Sequence, residues 1–582
     1  MRPVLRRLVC SFLLAAWLTS CTAPGKIALP SLEIPLRQFP DQANEPLPTL
    51  ALPSPVSTQP PQSTTPSIRL SDSHPLTATP TNTPLPYPLW IEPALPDALR
   101  EAALAWNLPP ADSASTASLQ LGFAAPYDKV SSTWIYALVA PFPTTLDGVT
   151  LADLEAAWSA SSSGPMAGSP LWMAESTQQA LTALWGEEAG PGAVQIASEG
   201  ELVEKMWQNQ PAWGIVPFEA LEPKLKVLAV DGQSPIRNDF DETVYPLKIN
   251  FSLVSVQPTE LQLESLPLPA ANRDPSKLTV LLMTGVTALV RATAVRMEIV
   301  GVDYPAWNIG DTLKAADITH ISNEIPFFNG CPYPDPRQEG LVFCSNPKYI
   351  ELLELIDADI IELTGNHFQD YGSQATLDTL EMYKERNWPY YGGGADLADS
   401  QKPAILEHNG NRFAFLGCNP IGPGYALATE DSPGAAPCED YEWMKREIAR
   451  LEAEGYIVIA TFQYEEYYQA EPTEVHRSDF RAIAEAGATI VSGSQAHVPQ
   501  AMEFYNGSFV HYGLGNLFFD QMSGPSRREF LDRHIFYDGR YISTELVTAM
   551  LEDYARPRLM KPEERKTFLE MMFESSGWTL EE

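Results

Sequence analysis

Two stretches decide how this chain is read: Ile360–Gly372, IIELTGNHFQDYG, and Ala488–Gln500, ATIVSGSQAHVPQ. Each opens with a short, mostly apolar run (Ile360–Leu363, Ala488–Val491) and breaks into a Gly-containing loop that carries a histidine, His367 or His497. Short apolar runs of this kind suit strands buried on both faces. Ligands just outside the carboxyl ends of parallel strands can converge on one point, which is where α/β sheets build metal and ligand sites. The pattern predicts an α/β fold with one site shared by both histidines.

The N-terminus bears on where the chain works. Arg2, Arg6 and Arg7 precede an apolar run, Leu8–Leu18, that closes on Leu18-Thr19-Ser20-Cys21. A basic stretch followed by so short a run reads as a signal peptide over residues 1–20, not as a membrane span. The Leu-Thr-Ser-Cys ending resembles a bacterial lipobox. That resemblance implies cleavage before Cys21, lipidation of its sulfur, and an extracytoplasmic chain anchored to the cell membrane. Cys10 leaves with the leader, so Cys331, Cys344, Cys418 and Cys438 remain. An even set in an exported chain predicts two local disulfides, each contributing about 3 kcal/mol by restricting the unfolded state. Neither pair has the C-x-x-C spacing of a cysteine metal site.

Composition sets outer bounds. The chain has 582 residues and is 44% hydrophobic, enough for two or three domains with real cores. A formal charge of −36 argues against nucleic acid, which selects basic surfaces. It also disfavours a polyanionic ligand unless local cations or a metal offset the field. Residues 21–88 are rich in Pro, Thr and Ser, a composition that predicts an extended tether between the membrane and the folded part.

Residues 89–263 alternate expected helices (Pro96–Trp106, Leu151–Trp158, Thr177–Trp185, Glu199–Trp207) with short apolar strands (Leu119–Phe123, Trp134–Phe142, Gly214–Pro217, Lys226–Val230). Within this α/β pattern, GVTLADLEAAWSA from Gly148 and AWGIVPFEAL from Ala212 resemble type 2 periplasmic solute-binding proteins. The resemblance implies a domain able to take a small solute, without assigning any ligand residue.

Residues 277–560 carry a longer series of motifs: Asn366–Gly372, the Gly392–Gly394 turn, Lys402–Ala404, Gly493–Gln500 and Gly513–Asp520. In this order they resemble the poly-gamma-glutamate capsule biosynthesis (CapA-type) family. The resemblance implies a calcineurin-like metallophosphoesterase αββα sandwich, with residues 561–582 as a C-terminal tail. It also exposes departures. Gly285-Val286 stands where the family has Gly-Asp, and Gln463 and Gln495 stand where it has histidines. The ligands left are Glu324, Asn366, His367 and His497, supported by Asn323, Asp370, Gln463, Gln495 and Gln500, with Glu465 and Glu466 nearby. Such a set implies one divalent cation (Mn, Zn or Fe), with His367 and His497 as ligands or proton donors in catalysis. Without a metal the same residues form a polar pocket in which His367 donates to Asp370. Asp370 is expected to cap the following helix, and Gly372 to take a positive φ.

Three functional readings follow. The first is a surface lipoprotein of capsule or exopolymer synthesis acting as a metal-dependent hydrolase. The second is a catalytically degenerate binding or assembly protein for an anionic exopolymer or the capsule machinery. The third is a surface solute sensor. The residues leave enzymatic activity undecided, because two-metal chemistry needs charged ligands that this chain lacks.

Overall fold

The computed structural model describes residues 87–257 and 260–578. The expected leader, Cys21 and nearly all of the expected tether lie outside the described residues. No helix among the described residues is long and apolar enough to cross a membrane. The described residues are α/β throughout and form one compact unit.

Every strand of one nine-stranded mixed sheet falls between Leu89 and Ser255. Its central strand, Ser132–Pro141, is almost wholly buried and pairs with Trp213–Pro217, Leu225–Val230 and Lys248–Ser255. The helix Leu151–Trp158 starts where Thr150 accepts from the Asp153 amide in a capping box.

A two-stranded ribbon, Gly393–Gly394 with Gly434–Ala435, and two further large sheets share the rest. One runs, in spatial order, Tyr390–Tyr391, Ile360–Glu362, Ile318–Asn323, Leu278–Thr284, Arg528–Tyr537, Arg540–Glu552 and Arg556–Leu559. The other runs Ala404–His408, Asn411–Cys418, Ile457–Gln463, Ile490–Ser494, Ser508–His511 and Met502–Tyr505. Side-chain alternation shows how they stack, because successive residues of a strand face opposite ways. Leu281, Met283, Ile318 and Ile360 share a core with Phe413, Phe415, Ile457, Ile459, Ile490 and Phe509 of the other sheet. Their neighbours Leu282, Ile321 and Ile361 pack instead with Ala294, Met297, Leu353 and Leu380 of helices on one outer face. On the other side, Ala414, Val458, Ala460, Val491 and Val510 pack with Met444, Ile448, Phe480 and Ile483 of two more helices. The layers are therefore helix, sheet, sheet, helix, as expected for residues 277–560.

One expectation needs correction. Residues 561–582 are not simply a tail: Pro562–Ser575 is a helix whose Phe568, Leu569, Met572 and Phe573 are buried in the intersheet core. The strand Ile318–Asn323 stops one residue short of Glu324, which turns into the loop beyond.

Both disulfides form, Cys331–Cys344 with Cα atoms 5.8 Å apart and Cys418–Cys438 at 5.0 Å. Alkylation of the unreduced, denatured chain is expected to label none of these four cysteines. Labelling of either pair would contradict the assignment.

Candidate functional site

The site forms where parallel strands of both sheets end. Strands Ile318–Asn323 and Ile360–Glu362 run parallel in one sheet, and Ile457–Gln463 and Ile490–Ser494 run parallel in the other. Their carboxyl ends deliver Glu324, Asn366, Gln463 and Gln495. Burial of this rim is deep: Glu324 is 3% exposed, Gln463 1% and Gln495 5%. Gly365 makes the crossing possible, since a Cβ there would lie 2.6 Å from the Glu324 carbonyl oxygen. Gly365→Ala is expected to push Glu324 out of place and cost about 1–3 kcal/mol. A denaturant titration checks this, with an unchanged midpoint as the contrary result.

Gln463 is the centre of the arrangement. Its Nε2 donates toward Glu324 Oε1 at 3.0 Å and Asn366 Oδ1 at 3.1 Å, and also toward Gln495 Oε1. Three oxygens thus converge on one neutral NH2 group, which has only two hydrogens to give. Gln495 and His497 both take left-handed backbone conformations, φ 74° and 54°. Side chains other than glycine rarely adopt that region, and such strain concentrates at functional sites.

Both histidines are held by Nδ1. Asn516 Nδ2 donates to the carbonyls of His497 and Ser526, which fixes its Oδ1 as the acceptor 2.9 Å from His497 Nδ1. His367 Nδ1 lies 2.7 Å from Asp370 Oδ2. Each imidazole therefore keeps Nε2 as its second nitrogen. A chain of rings joins them. Phe343 packs on His367 with centroids 4.8 Å apart, Phe519 packs on His497 at 5.2 Å, and the Arg291 guanidinium lies over both phenylalanines at 5.2 and 4.9 Å. Asp520 anchors Arg291 through an ion pair.

Asp370 does not cap the following helix, whose N-cap is Tyr371. It accepts instead from His367, from the Phe343 amide at 2.7 Å and from Tyr425 Oη at 3.2 Å. Gly372 takes the expected positive φ. Burial disfavours the charged form of His367, yet Asp370, Glu324 and Glu466 together outweigh it and raise the pKa above 6.5. The pair thus stabilises the fold fully below the unfolded value, and that contribution is lost as pH rises through the raised one. Asp370→Asn is expected to lower the His367 titration midpoint, followed by NMR of its ring proton; an unchanged midpoint would remove Asp370 from this role.

The other expected residues lie around this core. Asn323 donates to the Ile325 carbonyl and to Tyr383 Oη, fixing the strand end. Gln500 donates to the carbonyls of Tyr467 and Gln469. Glu465 and Glu466 are exposed, and Glu466 accepts from Tyr468. Arg291, Phe343, Phe519 and Asn516 were not anticipated. Only Asn516 and Phe519 fall inside an expected motif, Gly513–Asp520.

A two-metal centre does not fit this donor set. Among the described residues no three His, Cys, Asp or Glu side chains converge as a metal cluster. At the convergence point the chain supplies one carboxylate and two amide oxygens, already shared by the Gln463 amide. Two divalent cations would need more anionic charge than Glu324 provides.

Residues 279–521 match the family described as "Bacterial capsule synthesis protein PGA_cap". The match contains every residue of the site. The chain is 32% identical over 179 residues to the PGA biosynthesis protein CapA of Bacillus subtilis (strain 168), covering 30% of this chain and 47% of that one. It is 24% identical over 275 residues to the capsule biosynthesis protein CapA of Bacillus anthracis, covering 46% and 66%. Residues 279–521 are therefore similar to CapA-type capsule-biosynthesis proteins. The chain thus spans roughly half to two-thirds of the length of these relatives. Among solved structures, a hypothetical protein from Thermus thermophilus aligns over 47% of this chain and all of its own (16% identity, TM-score 0.31). An ABC-type phosphate transport receptor from Vibrio cholerae aligns over 30% of this chain and 88% of its own (11%, TM-score 0.27). Likeness at that level assigns no function.

Proposed function

We propose that this chain serves anionic exopolymer synthesis of the capsule or poly-gamma-glutamate type, from outside the cytoplasm, tethered through a lipid on Cys21. On this reading residues 89–263 form one α/β domain and residues 277–560, with the helix Pro562–Ser575 packed into their core, a second, and the strand-end site of the second binds and positions the polymer without cleaving it by two-metal chemistry. The observation that carries it is the Gln463 amide, which stands where three oxygen ligands converge. The CapA-type matches support the biological setting. At the rim Arg291 is paired with Asp520 and His367 with Asp370, so on this reading the polymer is held through amide and imidazole hydrogen bonds and not through surplus positive charge.

The test is incubation of the mature chain with poly-gamma-glutamate. Binding is expected by sedimentation, weakened about tenfold by His367→Ala or His497→Ala, a change of ~1.4 kcal/mol, with polymer length unchanged. Metal-dependent shortening of the polymer would contradict the reading.

A second reading rests on the same crowded nitrogen. Turning the Gln463 amide over would exchange its N for its O and present four oxygens, from Glu324, Asn366, Gln463 and Gln495. Such a set suits one hard cation and supports single-metal hydrolysis. One bound equivalent, lost in Gln463→Leu, would favour it.

A further inference from the structure

Away from the strand-end site, a cleft of about 780 Å³ opens between Asp147, Lys226 and Arg237 of the first region and Arg533, Glu545 and Arg565 of the second. That is the size range of small-molecule sites. Its charges are organised in two triads. Lys226 Nζ donates to Asp147 Oδ1 at 2.7 Å, and Arg565 donates to both Asp147 oxygens at 2.7 and 2.8 Å. Arg237 donates twice to Glu545 Oε1, at 3.0 and 2.8 Å, while Arg533 Nη1 donates to Oε2 at 2.8 Å. Each carboxylate is thus bracketed by two cations, and each triad keeps one unit of positive charge. Burial raises the two carboxyl groups, but the bracketing cations outweigh it and hold both below the ordinary carboxylate range. The other acids lining the cleft, Asp239 and Asp311, are exposed.

We propose that this cleft binds a small multivalent oxyanion, a polycarboxylate or a phosphate compound. Guanidinium groups present paired N–H donors matched to carboxylate and phosphate oxygens. Among the described residues Arg237 Nη1 and Arg533 Nη2 make no hydrogen bond, so the Glu545 triad keeps donors open to a ligand. The lining carries four cations and four carboxylates, a balanced set on a chain with 74 acidic and 38 basic residues, so an anion is repelled less here than over the acidic surface at large. The inference stands on the cleft's own side chains and does not depend on the capsule reading.

Isothermal titration of the full mature chain at low ionic strength, with citrate and with inorganic phosphate in separate arms, tests it. One-site binding of at least one anion is expected, and the tighter arm identifies the ligand class. Arg237→Gln, which leaves Arg533 on Glu545, is expected to weaken binding about tenfold or more. Ala315→Trp fills the exposed wall of the cleft without altering a charge and is expected to weaken it similarly. His497→Ala should leave binding unchanged. Failure of both anions to bind below ~10 mM, a weaker level than any specific site in the usual range, would overturn the proposal. So would binding that ignores both cleft variants or follows His497→Ala.

Discussion

Asp532→Ala is expected to lower stability by about 3–5 kcal/mol, the usual result of removing one member of a buried charged pair. Asp532 Oδ2 lies 2.5 Å from His511 Nδ1, and both side chains are 1% exposed. His511 Nε2 sits 3.2 Å from the Gln500 carbonyl, which can only accept, so Nε2 carries a hydrogen. A proton must then also lie between Nδ1 and the carboxyl, whichever of the two groups holds it. Truncating Asp532 strands that nitrogen in the intersheet core, beside Phe530 and Phe509. Asp532→Asn should cost less, because its amide can donate to a neutral Nδ1. Equal losses in the two variants, by denaturant titration, would show that packing rather than the pair is at work.

Glu529→Gln should act in the opposite direction. Glu529 is fully buried, and among the described residues neither carboxyl oxygen has a hydrogen-bond partner. Burial pushes its pKa well above the ordinary value, so the folded chain holds the acid neutral. Because the folded pKa is raised, the protonated group's contribution is complete below the unfolded value near 4.5. It is lost as pH rises from there toward the raised one. The slope is at most about 1.4 kcal/mol per pH unit. The Gln variant has no proton to lose, so its advantage over the native chain should grow as pH rises from about 4.5 toward the raised value. Stability curves that stay parallel across this range would mean that Glu529 finds a partner when it ionises.

Much of the architecture can be read from periodicity. The apolar runs at Ile360 and Ile490 mark strands buried on both faces, and the helix Leu151–Trp158 has the predicted limits because Thr150 caps it. The hairpin of Arg528–Tyr537 with Arg540–Glu552 was missed, although its turn is an Asp538-Gly539 pair with φ 52° and 78°, a strong local signal. The C-terminal helix was missed because only tertiary packing gives Phe568 and Phe573 their place. At the site, the loss of histidine ligands at Gln463 and Gln495 was legible. What Gln463 does instead was not, since three oxygens from three other strand ends meet its amide only after both sheets have stacked. Asp370 was misplaced for a similar reason: a carboxylate two residues before a helix has the look of a cap, and only the disulfide-closed loop brings the Phe343 amide within its reach.

The central claim is that an amide bridge replaces a two-metal centre at the strand ends. Elemental analysis of the purified chain after Mn, Zn and Fe supplementation, alongside Glu324→Ala and His497→Ala variants, tests it most directly. Fewer than two equivalents of metal are expected. Two equivalents in the native chain, lost together in both variants, would contradict the claim.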